Sequence, residues 1–267
     1  GQTMIVKTMG NTVDQAMVVP ARTVACSLVS AARKSGAQSP GTRGKMMSML
    51  RAELIKAQEY AAKQAEANGD KDEKEKQEPP PRDLHLEALV KVLRGELALL
   101  VTADRAQAIA NALRFAREFK ISVWLDSAAE SYLLIDEIKA AKVPVLIHPT
   151  MARATGEREN LSFETAAKLV AAGIPVAMQS GYEGYVPKTR VVLFEAGRGA
   201  ANGLSFEQAL ETITSGAARI LGIDNRVGSL EVGKDGDVAL YDGDPFEYTT
   251  HCTGVVVNGR VMSQTAR

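Results

Sequence analysis

From Gly95 onward the chain alternates short apolar runs with stretches of helical periodicity, and this alternation limits its fold more than any other feature. The runs LALLV (97–101), ISVWL (121–125), VPVLIH (143–148) and IPVAM (174–178) have strand length. Between them, 104–119, 128–141 and 162–173 carry apolar residues at helical spacing, as in Ala106, Ile109, Ala110, Leu113 and Ala116. Ser162 is placed to cap the third of these helices and Gly173 to stop it. Two more helices are predicted, over 189–202 and 205–222. Strands that are apolar throughout are buried on both faces, which marks a parallel sheet in an α/β fold. Right-handed crossovers wind such units into an open sheet or a barrel, and the pattern alone leaves both open.

The flanks follow other rules. After Gly222, DVALYDG and GVVVNGRVM are short alternating strands, with Asn258-Gly259 as a hairpin turn. Upstream, 40–69 predicts a long amphipathic helix starting near Thr42 or Arg43. A charged stretch, 70–82, ends in three prolines and reads as a solvated loop. A short helix at 84–95 then leads into the first strand. The block 34–94 is expected to be an excursion from a strand–helix loop that caps one end of the fold. MIVK (4–7) reads as a buried strand and TVACSLV (23–29) as an apolar helix. Because a strand-like run opens the sequence, the chain is expected to begin inside a fold.

Composition removes several classes of function. Lys+Arg and Asp+Glu both total 32, so no global field favours nucleic acid or an anionic membrane. KDEKEK is mixed in sign and lacks interleaved aromatics, and there is no Gly-rich phosphate cradle. No apolar run reaches membrane-spanning length, and the opening residues lack a signal-peptide pattern. Cys26 and Cys252 form neither a disulfide framework nor a metal knuckle. The expectation is a cytoplasmic protein with reduced cysteines, Cys26 being a core residue rather than a nucleophile. His85 and His251 are expected at the surface.

The tail AARILGIDNRVGSLEVGKDGDVALYDGDPFE (217–247), followed by VVVNGRVM, resembles the C-terminal signature of the amidohydrolase superfamily, in its imidazolonepropionase-like branch. Gly228 and Gly233 permit the turns between its short strands. Further upstream, PGTR, LRAELIKAQEYAAK, LVKVLRGELALLVTADRAQAIANALRFAREF and GLSFEQALETITSGAARILGI are similar to a subgroup of that family with a long helical insertion. The resemblance implies a (β/α)8 TIM-barrel-type fold with a small C-terminal β-sandwich module. It places the later barrel strands in 1–222, an insertion at about 34–94 and the module in 223–267. The first barrel strands would precede Gly1.

The resemblance also implies chemistry at the C-terminal strand tips. A divalent metal there activates water and polarises a carbonyl, and it needs imidazole or carboxylate ligands. The family pattern calls for His-x-His on the first strand, histidines on the fifth and sixth, and aspartate on the eighth. Here the fifth tip reads Thr102-Ala103, the sixth has Ser127 (or Asp126, one residue off) and the eighth has Gly181. The expectation is therefore no bound metal, lost hydrolysis and a pseudoenzyme, with Thr102, Ser127 and Gly181 as pocket candidates. Thr102 is expected to cap the following helix. The alternative is a hydrolase acting on carbon–nitrogen bonds other than peptide bonds. It would use a divalent metal such as zinc held by a His-x-His from a preceding segment or a partner chain. His148, on the seventh strand, is a candidate acid or base, or else a structural histidine beside Pro149. Lys7 is placed at the fourth strand, where some relatives carry a metal-bridging lysine. Asp126 and Glu130 form a carboxylate pair that helix-start placement also explains. Expected partners are a small-molecule ligand and either a second copy or an amidohydrolase-like chain. Neither nucleic acid nor membrane is expected.

Overall fold

A computed structural model of the 267-residue chain describes residues 1–33, 40–68, 78–150, 152–181 and 191–264. The elements run β1 (Gln2–Val6), α1 (Val13–Ala16), β2 (Met17–Ser27), α2 (Arg43–Asn68), α3 (Leu84–Leu93), β3 (Ala98–Ala103) and α4 (Ala106–Phe119). There follow β4 (Val123–Ser127), α5 (Ile135–Ala141), β5 (Val145–Ile147), α6 (Thr165–Ala171), β6 (Val176–Met178), α7 (Val192–Ala201), α8 (Phe206–Glu211) and α9 (Ser215–Leu221). The chain closes with β7 (Val238–Tyr241), β8 (Cys252–Val257) and β9 (Arg260–Gln264).

The first six strands form one sheet in chain order, with β2 to β6 parallel and β1 antiparallel at the edge. The sheet curls into a half-barrel. Its outer face buries Leu99, Val101, Val123, Leu125, Val145 and Ile147 against α3, α4, α5 and α6, through residues such as Val92, Ile109, Leu113, Phe115, Ile138 and Leu169. On the inner face Ala98, Trp124 and Ala177 meet Ile220 of α9. Apolar residues on both faces of the strands explain why the sequence shows runs instead of alternation. The register sets Ser27, Thr102 and Asp126 at one level, and Ala103, Ser127, Ile147 and Met178 just beyond it. β7, β8 and β9 form a separate antiparallel sheet, closed by the expected turn with Asn258 at φ 50° and Gly259 at φ 73°.

Several expectations change. Residues 23–29 do not form a helix, because 23–27 belong to β2 and pair with 98–102. Val18, Val19, Thr23 and Val24 are β-branched, and Pro20 removes a helical donor, so the segment suits a strand. Cys26 packs between β2 and the outer helices, and burial pushes its thiol up to about 12. β1 is a half-exposed edge strand, with Met4 52% and Val6 48% exposed, since its one neighbour is β2. The predicted helix 205–222 divides at Thr212–Thr214, where the threonine hydroxyls donate back to the carbonyls of Ala209 and Leu210.

The long helix α2 begins at Arg43 as expected, but it does not cap an end. It lies along the flank, burying Leu54 and Ala57 completely. Arg43 pairs with Glu157 near the strand tips, and Arg51 pairs with Glu118 at the far end of α4. The Tyr60 hydroxyl accepts from the amide of Asp83. Met46, Leu50, Leu54, Ala57 and Ala61 make a stripe one helix face wide, which requires contact along the whole length. α3 is the crossover from β2 to β3. Most of the charged stretch 70–82 lies outside the described residues, as does much of the loop before α7. Among the described residues no helix is long and apolar enough to cross a membrane.

Candidate functional site

The tips of β3 to β6 bring the polar residues together. Thr102 and Asp126 are cross-strand neighbours, and the Thr102 hydroxyl donates to Asp126 Oδ2 at 2.6 Å. The Gln179 amide, just after β6, donates to Asp126 Oδ1 at 2.8 Å and to the Leu146 carbonyl at 3.1 Å. Both oxygens of this carboxylate are thus engaged, one from the neighbouring β3 and one from across β5.

One step outward the chain turns sharply, with Ser127 at φ 69° and Ala128 at φ 51°, both in the left-handed region. This conformation costs energy for residues with a Cβ. It carries the buried Ser127 hydroxyl onto Asp104 Oδ1 at 2.5 Å, while Arg158 Nε approaches Asp104 Oδ2 at 3.2 Å. Glu130 then closes the helix side. Its Oε2 accepts from the amide of Ala106 at 2.7 Å, and its Oε1 from Arg105 and Asn160, both at 2.8 Å. Burial alone would raise the Glu130 pKa. The Ala106 amide, Asn160 and Arg105 outweigh it and hold the group below its usual value. The carboxylate thereby caps α4, a role expected of Thr102, whose hydroxyl is instead committed to Asp126.

His148 follows β5 and is fully buried. Its amide donates to the Ser127 carbonyl at 2.5 Å, and Nδ1 lies 3.4 Å from the Pro149 carbonyl. Nε2 is sealed from solvent and has no partner among the described residues. Burial lowers the imidazole pKa, with Arg158 adding to the effect and the Pro149 carbonyl, Asp104 and Glu195 opposing it. Beside it Glu195 of α7, also fully buried, accepts from the amide and hydroxyl of Thr150, both at 2.6 Å. Gly181 stands at φ 68°, and a Cβ there would come within 2.7 Å of Pro149 Cγ. Any larger residue at 181 would have to displace the turn that carries His148.

Lys7 does not join this group. β1 is antiparallel, so Val6 sits opposite Met17 at the start of β2, while the tips lie beyond Ser27. Lys7 reaches the C-terminal module instead, pairing with Asp235 at 2.6 Å and Asp237 at 2.8 Å. His85 is exposed beside Glu53, and His251 is exposed beside Asp242. Asp104, Glu195, Gln179 and Arg158 were not among the expected site residues. The local signal for Asp104 and Gln179 was their position directly after an apolar run.

The donor chemistry can be weighed against the metal that the resemblance implies. Among the described residues no three of His, Cys, Asp and Glu converge on a point. The Thr102 and Ser127 hydroxyls are neutral and already donate to carboxylates, and Asp126 is engaged at both oxygens. This set does not fit a tightly held zinc-like ion.

Comparison with known proteins gives a consistent family. The amidohydrolase family model matches residues 125–263. An amidohydrolase, tasK, from Hapsidospora irregularis is 25% identical over 183 residues, covering 62% of this chain and 17% of that protein. An imidazolonepropionase from Shewanella frigidimarina is 42% identical over 66 residues, 22% of this chain and 16% of that protein. The matched segments thus span less than a fifth of these relatives' length. The crystal structure of an amidohydrolase from Thermotoga maritima superposes with a TM-score of 0.88 at 26% identity, covering 99% of this chain and 68% of that one.

Proposed function

The chain belongs to the amidohydrolase family, and from that premise we propose that it keeps the family's framework without catalysing metal-dependent hydrolysis at its own strand tips. Its role is binding or assembly: it takes up a small molecule at the tips and associates with a second amidohydrolase-like chain or another copy of itself. The observation behind this reading is the state of Asp126. It is the strand-tip carboxylate best placed to ligate a metal, and Thr102 and Gln179 occupy both its oxygens. Each oxygen keeps a lone pair, but an ion placed there would gain one carboxylate with no further His, Cys, Asp or Glu converging on it among the described residues. Elemental analysis of the purified chain tests the reading. The expected result is far less than one equivalent of any transition metal. Stoichiometric zinc, nickel or iron, lost in Asp126→Asn, would overturn it. The free cysteines 26 and 252 accord with a cytoplasmic location.

A second reading has an observation in its favour. His148 presents a buried Nε2 with no partner among the described residues, close to the tips, as a residue prepared for a ligand would. On that reading the chain hydrolyses carbon–nitrogen bonds other than peptide bonds, once further polypeptide supplies the remaining donors. Turnover of cyclic amides or acyl-amino acids that a chelator abolishes would favour it over the first reading.

A further inference from the structure

At the opposite end of the half-barrel from the strand tips lies a cleft of about 580 Å³, walled by Trp124, Pro144, Ile174, Glu211, Arg219 and Ile220, with Arg22 reaching in from β2. Its charges do not balance. Glu211 is paired with Arg219, so those two cancel. Arg22 has no carboxylate partner among the described residues. Its Cζ stands 5.0 Å from the centroid of the Trp124 ring, and its Nε–H is sealed from solvent without an acceptor among the described residues. On its other side is the end of α9, where a Cβ on Gly222 would come within 2.9 Å of Arg22 Nη2. The indole face and the carbonyl end of a seven-residue helix attract a cation. Neither supplies the in-plane acceptor that a guanidinium requires. A permanent charge left with a buried, unpaired donor is costly, and the cost is relieved when an anion enters.

We propose that this cleft binds a small organic carboxylate, with Arg22 as its anchor and Trp124, Pro144, Ile174 and Ile220 receiving the apolar body. Arg22 carries a planar fork of donors that suits a carboxylate, and the walls around it are largely apolar. Engaging the anion draws the guanidinium off the indole face and gives Nε the acceptor it lacks. This site is separate from the strand tips and stands or falls independently of the role assigned to them.

Trp124 is the chain's one tryptophan, so the site carries its own reporter. Sodium butyrate would be titrated into the full chain at constant ionic strength while tryptophan emission is followed, with sodium chloride and inorganic phosphate as parallel arms. The expected result is a saturable change with butyrate in the millimolar range, a flat chloride arm and a weaker phosphate response. Melting temperature should rise with butyrate in the same concentration range. Arg22→Met should weaken butyrate binding by about tenfold or more, and Arg22→Lys, which keeps charge but not the fork, should fall between. No saturable response in the unaltered chain, an equal response to chloride, or unchanged affinity in a folded Arg22→Met would each overturn the proposal. Should Arg22→Met fail to fold, the butyrate and chloride arms on the unaltered chain still decide it.

Discussion

Asp126 and His148 sit on adjacent strands yet face opposite predicaments. Asp126 is half-exposed with a donor on each oxygen, while His148 is fully buried with one ring nitrogen unpartnered among the described residues. Burial holds the imidazole neutral in the folded chain, with its pKa below the ordinary 6.5. On unfolding it regains that value, so below 6.5 the unfolded chain takes up a proton that the folded chain refuses. Stability therefore falls as pH drops from 6.5 toward the lowered folded pKa, at up to about 1.4 kcal/mol per pH unit from this group. The dependence fades as pH rises above 6.5, where neither state binds the proton. His148→Gln, read by urea denaturation across this window, should remove that part of the slope. An unchanged slope would place the protonation elsewhere. The sequence alone could rank Thr102, Ser127 and Gly181, because each follows an apolar run at a position where the resembling family carries a ligand. It could not show that Thr102 serves Asp126 and that Glu130 serves the start of α4, because those partners are fixed by cross-strand register. Glu195 was hidden further, since it meets Thr150 across 45 positions of sequence.

At the scale of elements, legibility followed the length of the periodic signal. α4 announced itself through its helical period, β3 to β6 through short apolar runs alternating with such helical stretches, and the type I′ hairpin through Asn258-Gly259. β2 failed because a seven-residue apolar run has no period that separates helix from strand. Its β-branched residues and Pro20 were the better guide. α2 was readable as a helix but not in its placement, because amphipathicity states that one face is covered and not by what. The flank position makes α2 part of the core. Leu54→Ala, at a fully buried site, should cost about 2–5 kcal/mol and shift the denaturation midpoint of the whole chain in one transition. A helix laid over the barrel end as a detachable cap would instead melt early and leave the main transition in place. Near-ultraviolet circular dichroism, together with protease protection of 43–68, separates the two outcomes.

At the scale of the molecule, the half-barrel leaves surfaces that a closed barrel would cover. Among the described residues β1 and β6 are its two edges, and on the inner side Ala25 and Ser27 are exposed beside a half-buried Leu100. The C-terminal sheet adds Leu240, Val261 and Met262, with Val261 67% exposed. Lys7 couples the two regions, since its pairs with Asp235 and Asp237 fasten the edge strand β1 to the module. Apolar strand residues flanking an unpaired edge favour association with another polypeptide over contact with water. The proposed assembly role turns this into a measurement. Sedimentation velocity of the purified chain should show a species heavier than the 28.5 kDa protomer, diminishing on dilution. Val261→Lys, on an outward position of the last strand, should shift the population toward monomer without lowering the melting temperature of the protomer, because that side chain contributes little to its core. A chain that sediments as monomer at every concentration, with Val261→Lys indistinguishable from it, would remove self-association and leave a different amidohydrolase-like partner as the form of assembly to test.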